Sequence, residues 1–309
     1  MLIRKVMIER YTQNNITWID ILNPTTDEIR EILEECGIPR GFGNDLTVLT
    51  SKTEVVSKKG LVKITLGFPI VKRTDIHHPH EVKFLVTKTH LLTIRFEEIE
   101  SLHNFGKEYE VLCMVGSAKN NITADRLFIT MLNFLYDAMY KKLDYLESRL
   151  KDIEEEIFNE HEKEMVFELS VVSRKLITFR QTISAHEIAL AKLQTAMIVA
   201  FTPKSGQYIE ELEHHYRNLM RQVYALMSML QDLRDTNNSL VSTKQNETMK
   251  MFTILAFITF PLTLFTSMFG MNTVATPILG IPGDFWIILS IMVVVSITFF
   301  VFFKYKKWM

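Results

Sequence analysis

Eight positions near the end of this chain, Asn246, Met249, Thr253, Ala256, Phe260, Thr263, Ser267 and Gly270, recur at steps of three or four residues and so share one helical face. Amide, hydroxyl and small side chains repeated among apolar ones have two uses in an apolar helix: close helix packing, or the lining of a polar pathway. The stripe runs into Gly270-Met271-Asn272, where Asn272 carries one further neutral amide. Carboxylates are the other recurrent chemistry. Glu210, Glu211 and Glu213 flank His214-His215, Asp235 lies farther on, and Asp152, Glu154, Glu155, Glu156, Glu160, Glu162 and Glu164 form an acidic run. A solvated helix face is the plain reading of these acids, while the paired histidines would suit a softer cation such as Zn²⁺ or Co²⁺. His77-His78-Pro79-His80 has metal-binding side chains too, but its proline marks a turn between strands. No phosphate-cradling glycine loop is present, and no nucleophile, base and cofactor constellation emerges, so an enzyme is not expected.

The stripe sits in the first of two apolar stretches, 251–271 and 285–303, between which the only charged side chain is Asp284. About 20 helical residues cross a hydrocarbon core of roughly 30 Å, so both stretches are expected to span a membrane rather than to form a buried hairpin in a soluble core. Lys244 and Lys250 precede the first stretch, Lys304, Lys306 and Lys307 follow the second, and the loop between has no Lys or Arg. That bias puts both termini on the cytoplasmic side of a cell inner or plasma membrane, with Trp286 and Trp308 at the two interfaces. The chain begins Met1-Leu2-Ile3-Arg4, without a signal peptide, which places residues 1–250 inside.

The remaining sequence must position these spans. Net charge is −1, which gives no basic field for nucleic acid, and Cys36 and Cys113 are too few for a disulfide framework and read as reduced core thiols. Gly and Pro crowd the first 80 residues and are absent between Ser117 and Thr202, so the architecture changes near residue 117. Before it, runs such as 82–86 and 91–94 read as strands, and Thr25 with Glu28 forms a capping box for a helix with Ile29, Ile32 and Leu33 inward, ending at Gly37. After it, Leu135, Met139, Leu143, Leu146, Leu150, Ile153 and Ile157 form one seam. Leu169, Val172, Leu176, Phe179, Ile183, His186, Leu190 and Leu193 form a second, antiparallel to the first if the turn lies near Glu160, with His186 hydrogen-bonded inside it. Pro203 and Gly206 break the pattern. Tyr208, Leu212, His215, Leu219, Val223, Leu226, Leu230, Leu233 and Leu240 resume it, and one rod about 95 Å long is expected from Gln207 to Gly270, with Pro261 accommodated by a kink. The expected domains are 1–120, 121–249 and 250–309.

Taken together, Asn246-Glu247-Thr248-Met249-Lys250, Thr253-Ile254, Pro261-Leu262-Thr263 and Phe269-Gly270-Met271-Asn272 resemble the first-span signature of CorA-type magnesium channels, and residues 18–25 resemble the start of that family's cytoplasmic domain. The resemblance covers the whole chain in order of elements, although its specific residues lie mostly between 235 and 272. It implies an α+β cytoplasmic domain, a bundle of long helices and two C-terminal transmembrane helices, assembled as a homopentameric funnel whose first spans line the pore. Two helices cannot enclose a pore, so conduction in any case requires several copies about one axis. By position, Asn246, Met249, Phe252, Phe260, Thr263 and Asn272 correspond to pore-facing residues of the family, with Phe252 and Thr253 competing for one turn. Gly270, Met271 and Asn272 would form the filter. Mg²⁺ sheds water reluctantly, so a ring of Asn272 amide oxygens would hold the hydrated ion, unless Asn272 merely caps its helix. Gly270 would let the backbone turn tightly there.

Transport would be passive, needing no organic cofactor: the membrane potential supplies about 2.3 kcal/mol per charge per 100 mV, hence roughly 4.6 for a divalent ion. Mg²⁺ would also be the regulatory ion, held between subunits by Glu210, Glu211 and Asp235. The chain departs from the family in Phe269, where Tyr is common, and in an outer loop, 273–283, without carboxylates. Co²⁺ and Ni²⁺ therefore stay open as cargo, as do a proton-coupled Zn²⁺ transporter on the same scaffold and a membrane-anchored scaffold that conducts nothing.

Overall fold

The computed structural model describes residues 7–13, 15–43, 45–50, 52–58, 60–70, 79–114, 122–271, 278 and 280–306. Its elements are β1 (Met7–Gln13), β2 (Ile16–Leu22), α1 (Thr26–Glu35), β3 (Glu54–Lys58), β4 (Leu61–Phe68), β5 (His80–Val86), β6 (His90–Arg95), α2 (Glu100–Met114), α3 (Ala124–Phe158), α4 (Glu162–Ser184), α5 (His186–Ala200), α6 (Pro203–Phe269) and α7 (Asp284–Tyr305). The chain divides into two compact units, Met1–Arg234 and Asp235–Met309.

In the first unit, six strands form one sheet in the order β1-β2-β6-β5-β4-β3, parallel only where β2 meets β6. Alternation along each strand sends side chains to both faces, and both are covered. Ile19, Ile21, Leu85, Leu92 and Ile94 meet Ile29, Ile32 and Leu33 of α1. On the other face Trp18 packs edge-on to Phe105 of α2, at 5.5 Å between ring centroids, and Phe84 meets Phe128 of α3 at 5.4 Å. The α1 cap is the one its sequence encodes: the Thr25 hydroxyl accepts from the Glu28 N–H, the Glu28 carboxylate accepts from the Thr25 N–H, and Gly37 takes φ +65° beyond the C-terminus. Buried charge is paired, with Arg95 Nε and a terminal guanidinium nitrogen donating to Asp20 Oδ2 at 3.0 and 2.9 Å.

All seven residues of the first helical seam are buried in α3, and all eight of the second are buried in α4 and α5. The turn between them holds Asn159 to His161, with Glu160 at φ +70°. The second seam is not one helix, because it is interrupted at Ala185. Just past this break His186 is fully buried, its Nε2 2.8 Å from the Gly67 carbonyl and its Nδ1 2.8 Å from the Tyr136 hydroxyl. A carbonyl only accepts, so Nε2 carries the proton and Nδ1 accepts from the tyrosine. Burial drives the imidazole pKa down to about 4, and the ring is neutral at pH 7.

Four local expectations are corrected. The helix after α5 starts at Pro203 rather than past Gly206: Thr202 caps it, accepting the Ser205 N–H at 3.3 Å, and proline belongs in a first turn. Gly206 lies inside α6 because a Cβ there would stand 2.3 Å from Ile198. Tyr216, not His215, takes the buried place between Leu212 and Leu219, since steps of four and three fit 3.6 residues per turn as well as three and four. Within the acidic run Glu162 is buried at the start of α4, where the helix N-terminus favours a carboxylate. Cys36 is half-buried against the α1 core rather than fully inside, its thiol pushed up to about 11 mainly by burial, and the Cys113 side chain lies outside the described residues.

Candidate functional site

The second unit inverts the usual arrangement of apolar surface. The last part of α6 and all of α7 are long and apolar enough to cross a membrane, and almost none of their side chains is buried. Met249, Phe252, Leu255, Leu264 and Met268 on α6, and Trp286, Val294, Ile297 and Phe302 on α7, are all exposed. A hairpin in a soluble core would bury them, so that alternative fails. An apolar surface this continuous is stable only against hydrocarbon or other protein.

Contact between the two helices fixes their inner faces. Phe303 of α7 is 5% exposed and meets Phe257 edge-on at 6.3 Å, and Ile254, one turn before Phe257, is 7% exposed. Half-covered Ile258 and Pro261 continue this side of α6. At about 100° per residue, the centre of the stripe from Asn246 to Gly270 is turned roughly 130° from that side of α6, while its Asn246 and Thr253 edge borders Phe257. Asn246, Met249, Thr263 and Ser267 are exposed, Phe260 is 74% exposed, and Ala256 is half-exposed. Between the two competitors, Phe252 is 61% exposed, while Thr253 is half-covered and its hydroxyl donates to the Met249 carbonyl at 2.8 Å. Ile254 and Phe257 were missed in the sequence as the contact face. Their i, i+3 spacing beside Pro261 was the available signal.

Threonine hydroxyls flank Pro261 without being left idle. Thr259 donates to the Leu255 carbonyl and Thr263 to the Thr259 carbonyl, each at 2.8 Å. After the helix ends at Phe269, the Gly270 N–H still reaches the Thr266 carbonyl at 2.9 Å. Gly270 does not use the left-handed region; instead an added Cβ would stand 3.2 Å from the Thr266 carbonyl oxygen, tight enough to strain that approach. Met271 is exposed, and Asn272 lies outside the described residues. At the other end of the loop, Gly280 and Gly283 take φ +93° and +90°, and the Asp284 carboxylate accepts from the Gly280 and Phe285 N–H groups at 3.1 and 2.7 Å. The one charge of the hairpin is thereby held at the start of α7.

Outside this hairpin, the predicted cation ligands do not converge within one chain. Glu210, Glu211 and Asp235 are exposed on α6, and 24 positions separate the last two. His214 is exposed, its Nδ1 3.2 Å from Arg217. Of the histidine-proline cluster, His77 and His78 lie outside the described residues, and His80 opens β5 with Nε2 2.7 Å from Glu97. Among the described residues, no three His, Cys, Asp or Glu side chains are grouped so as to hold a metal.

These features define a class: a membrane protein with a folded sheet-and-helix domain, followed by two apolar helices, the first bearing a largely exposed polar stripe. Within that class the assignment is specific. The sequence model of the CorA-like Mg²⁺ transporter proteins matches residues 13–306, and the chain belongs to that family, which is one of transporters rather than enzymes. It is 26% identical over 295 residues to the cobalt/magnesium transport protein CorA of Thermotoga maritima, covering 95% of this chain and 83% of the relative. The complete structure of the CorA magnesium transporter from Methanocaldococcus jannaschii superimposes with a TM-score of 0.82 at 20% identity, over 97% of this chain and 93% of that one. The ZntB cytoplasmic domain from Vibrio parahaemolyticus is more distant, with a TM-score of 0.52 at 14% identity over 75% and 87%. At such identities the likeness establishes the fold: a mixed α/β domain, a long helix and two C-terminal apolar helices.

Proposed function

We propose that this protein is a passive, homopentameric channel for hydrated Mg²⁺, with Co²⁺ and Ni²⁺ as further cargo. The carrying observation is the stripe on α6, from Asn246 through Met249, Thr253, Ala256, Phe260, Thr263 and Ser267 to Gly270, most of which is exposed and lies outside the face that meets Phe303. Lipid is a poor solvent for amides and hydroxyls, so this face turns toward copies of itself around a central axis, while α7 meets the bilayer. Phe252 joins Met249 and Phe260 as apolar constrictions, being more exposed on α6 than Thr253. Gly270, Met271 and Asn272 form the filter, in which a ring of neutral oxygens suits an ion that keeps its water. Both termini lie in the cytoplasm. Glu210, Glu211 and Asp235 hold regulatory Mg²⁺; since Glu211 and Asp235 stand more than six turns apart on α6, a site that uses both draws them from different copies.

The test is Mg²⁺ and Zn²⁺ influx into proteoliposomes under an imposed potential and, separately, under a pH gradient, comparing the wild type with Asn272→Ala. Potential-driven Mg²⁺ entry that drops at least about tenfold in the variant supports the channel; each tenfold corresponds to about 1.4 kcal/mol. Zn²⁺ entry driven only by pH would replace it with a proton-coupled transporter. No flux from intact oligomers would leave a scaffold.

A further inference from the structure

From Met251 to Phe303 the chain carries a single charged side chain, Asp284. The loop leading to it, 272–283, has no charge of either sign. With both termini in the cytoplasm, Asp284 is therefore the whole outward-facing charge of each copy. A carboxylate at a helix start has a plain use, because it complements the helix dipole and accepts from backbone N–H groups. Asp284 does both: one oxygen accepts from the Gly280 N–H at 3.1 Å and the other from the Phe285 N–H at 2.7 Å. The turn closes tightly around it, with the Asp284 N–H donating to the Ile281 carbonyl at 3.0 Å and with Gly280 and Gly283 in the left-handed region that favours glycine.

Holding that turn does not require a charge, since the neutral oxygen of Asn or Ser also accepts at a helix start. What a carboxylate adds is a full negative charge, which is costly beside an apolar span. Both oxygens are fixed by their bonds, and a carboxylate offers about four acceptor positions, so two stay open to water. Mg²⁺ keeps its own water, and a fixed charge attracts the hydrated ion without coordinating it. We propose that Asp284 steers hydrated divalent cations to the outer mouth of the pathway, each copy contributing one carboxylate to a negatively charged rim. This role rests on the channel reading above. Attraction scales with ionic charge, so the rim enriches Mg²⁺ over monovalent cations. It reaches over a screening length of about 30 Å at 0.01 M ionic strength but only about 3 Å at 1 M. The rim thus sets how often a divalent ion arrives, while the neutral oxygens of the filter meet it afterwards.

Potential-driven Mg²⁺ influx into proteoliposomes of the full-length protein tests this, with choline chloride equal on both sides setting the ionic strength. Wild type is compared with Asp284→Asn, which keeps an acceptor oxygen and loses the charge, and with Asp284→Glu, which keeps the charge and alters the turn. At about 0.01 M and at Mg²⁺ below half-saturation, Asp284→Asn should admit about three- to tenfold less Mg²⁺ than wild type, and the gap should narrow to within about twofold at 1 M. The loss should appear as a higher half-saturating Mg²⁺ concentration with an unchanged maximal rate, and Asp284→Glu should keep most of the wild-type influx. An equal loss at both ionic strengths, shared by Asp284→Glu, would overturn steering and leave Asp284 as a group that only shapes the turn. Equal influx of wild type and Asp284→Asn at 0.01 M would overturn it as well. In both cases wild type still conducts and the channel reading stands. Wild type without flux at either ionic strength, from intact oligomers, would instead sink the channel reading and this role with it.

Discussion

Two stretches of the same helix, 209–233 and 249–269, have opposite relations to their surroundings. In the first, leucines recur on a buried face within a sheet-and-helix core, and charged side chains take the other sides. In the second, Phe260, Leu264 and Met268 are exposed, while Ile254 is buried and the ring of Phe257 meets Phe303 of α7. Backbone hydrogen bonding is the same in both, since a helix satisfies itself in either solvent. The difference therefore lies in what each stretch needs outside itself. The first unit completes its own core, and the second leaves an apolar surface that lipid or other protein must cover.

The largest effects should come from testing that contrast directly. Leu176→Ala, in the seam of α4, should lower stability by about 2–5 kcal/mol through lost burial and a residual cavity, whereas Leu264→Ala on exposed α6 should stay within about 0.5 kcal/mol. Denaturant unfolding of the first unit's signal in full-length protein, in detergent, measures both. Equal losses would mean that Leu264 packs as a core residue and would break the contrast.

A titration sharpens the picture of the first unit. His186 binds a proton near pH 6.5 when unfolded but only near about 4 when buried. Between those values the unfolded state holds more protons, so stability is fully present above about pH 6.5 and falls as pH drops toward 4, by roughly 3 kcal/mol in all. His186→Gln keeps a donor for Gly67 and an acceptor for Tyr136 but does not titrate. The difference between wild-type and variant stability, measured from pH 7 to 4.5, should shrink or invert toward acid. A constant difference would show that His186 does not govern that window.

Much of this division was legible in sequence because it rests on periodicity. The α3 seam, the α1 capping box and both apolar helices depend on local spacing, and all of them formed. Less legible were features set by neighbours distant in the chain. His186, just past the break at Ala185, is held by Tyr136 and Gly67, and a glycine is needed at 206 by Ile198 of α5, contacts that no local pattern encodes. For the site, the stripe's existence was readable, but how it is turned relative to α7 was not, because Phe257 and Phe303 stand 46 residues apart. Gly206→Ala probes one such contact: its Cβ would press on Ile198, so it should cost about 1–3 kcal/mol despite raising helix propensity. Pairing it with Ile198→Ala should recover most of that loss.

The smallest expected effects compare one residue type in the two units. Thr25 supplies a side-chain acceptor for an N–H that α1 leaves orphaned, so Thr25→Ala should cost about 1 kcal/mol in the same unfolding measurement. Thr263 donates instead to the Thr259 carbonyl, which the helix ladder already uses, and its loss leaves no backbone group unsatisfied. Thr263→Ala should therefore leave stability within about 0.5 kcal/mol and even gain slightly in helix propensity. If the stripe lines the pathway, that variant still changes Mg²⁺ influx, because it removes a ring of hydroxyl oxygens from the wall. A Thr263→Ala protein with lower stability and unchanged influx would reverse the assignment, making the hydroxyl a packing group and the stripe a helix–helix seam.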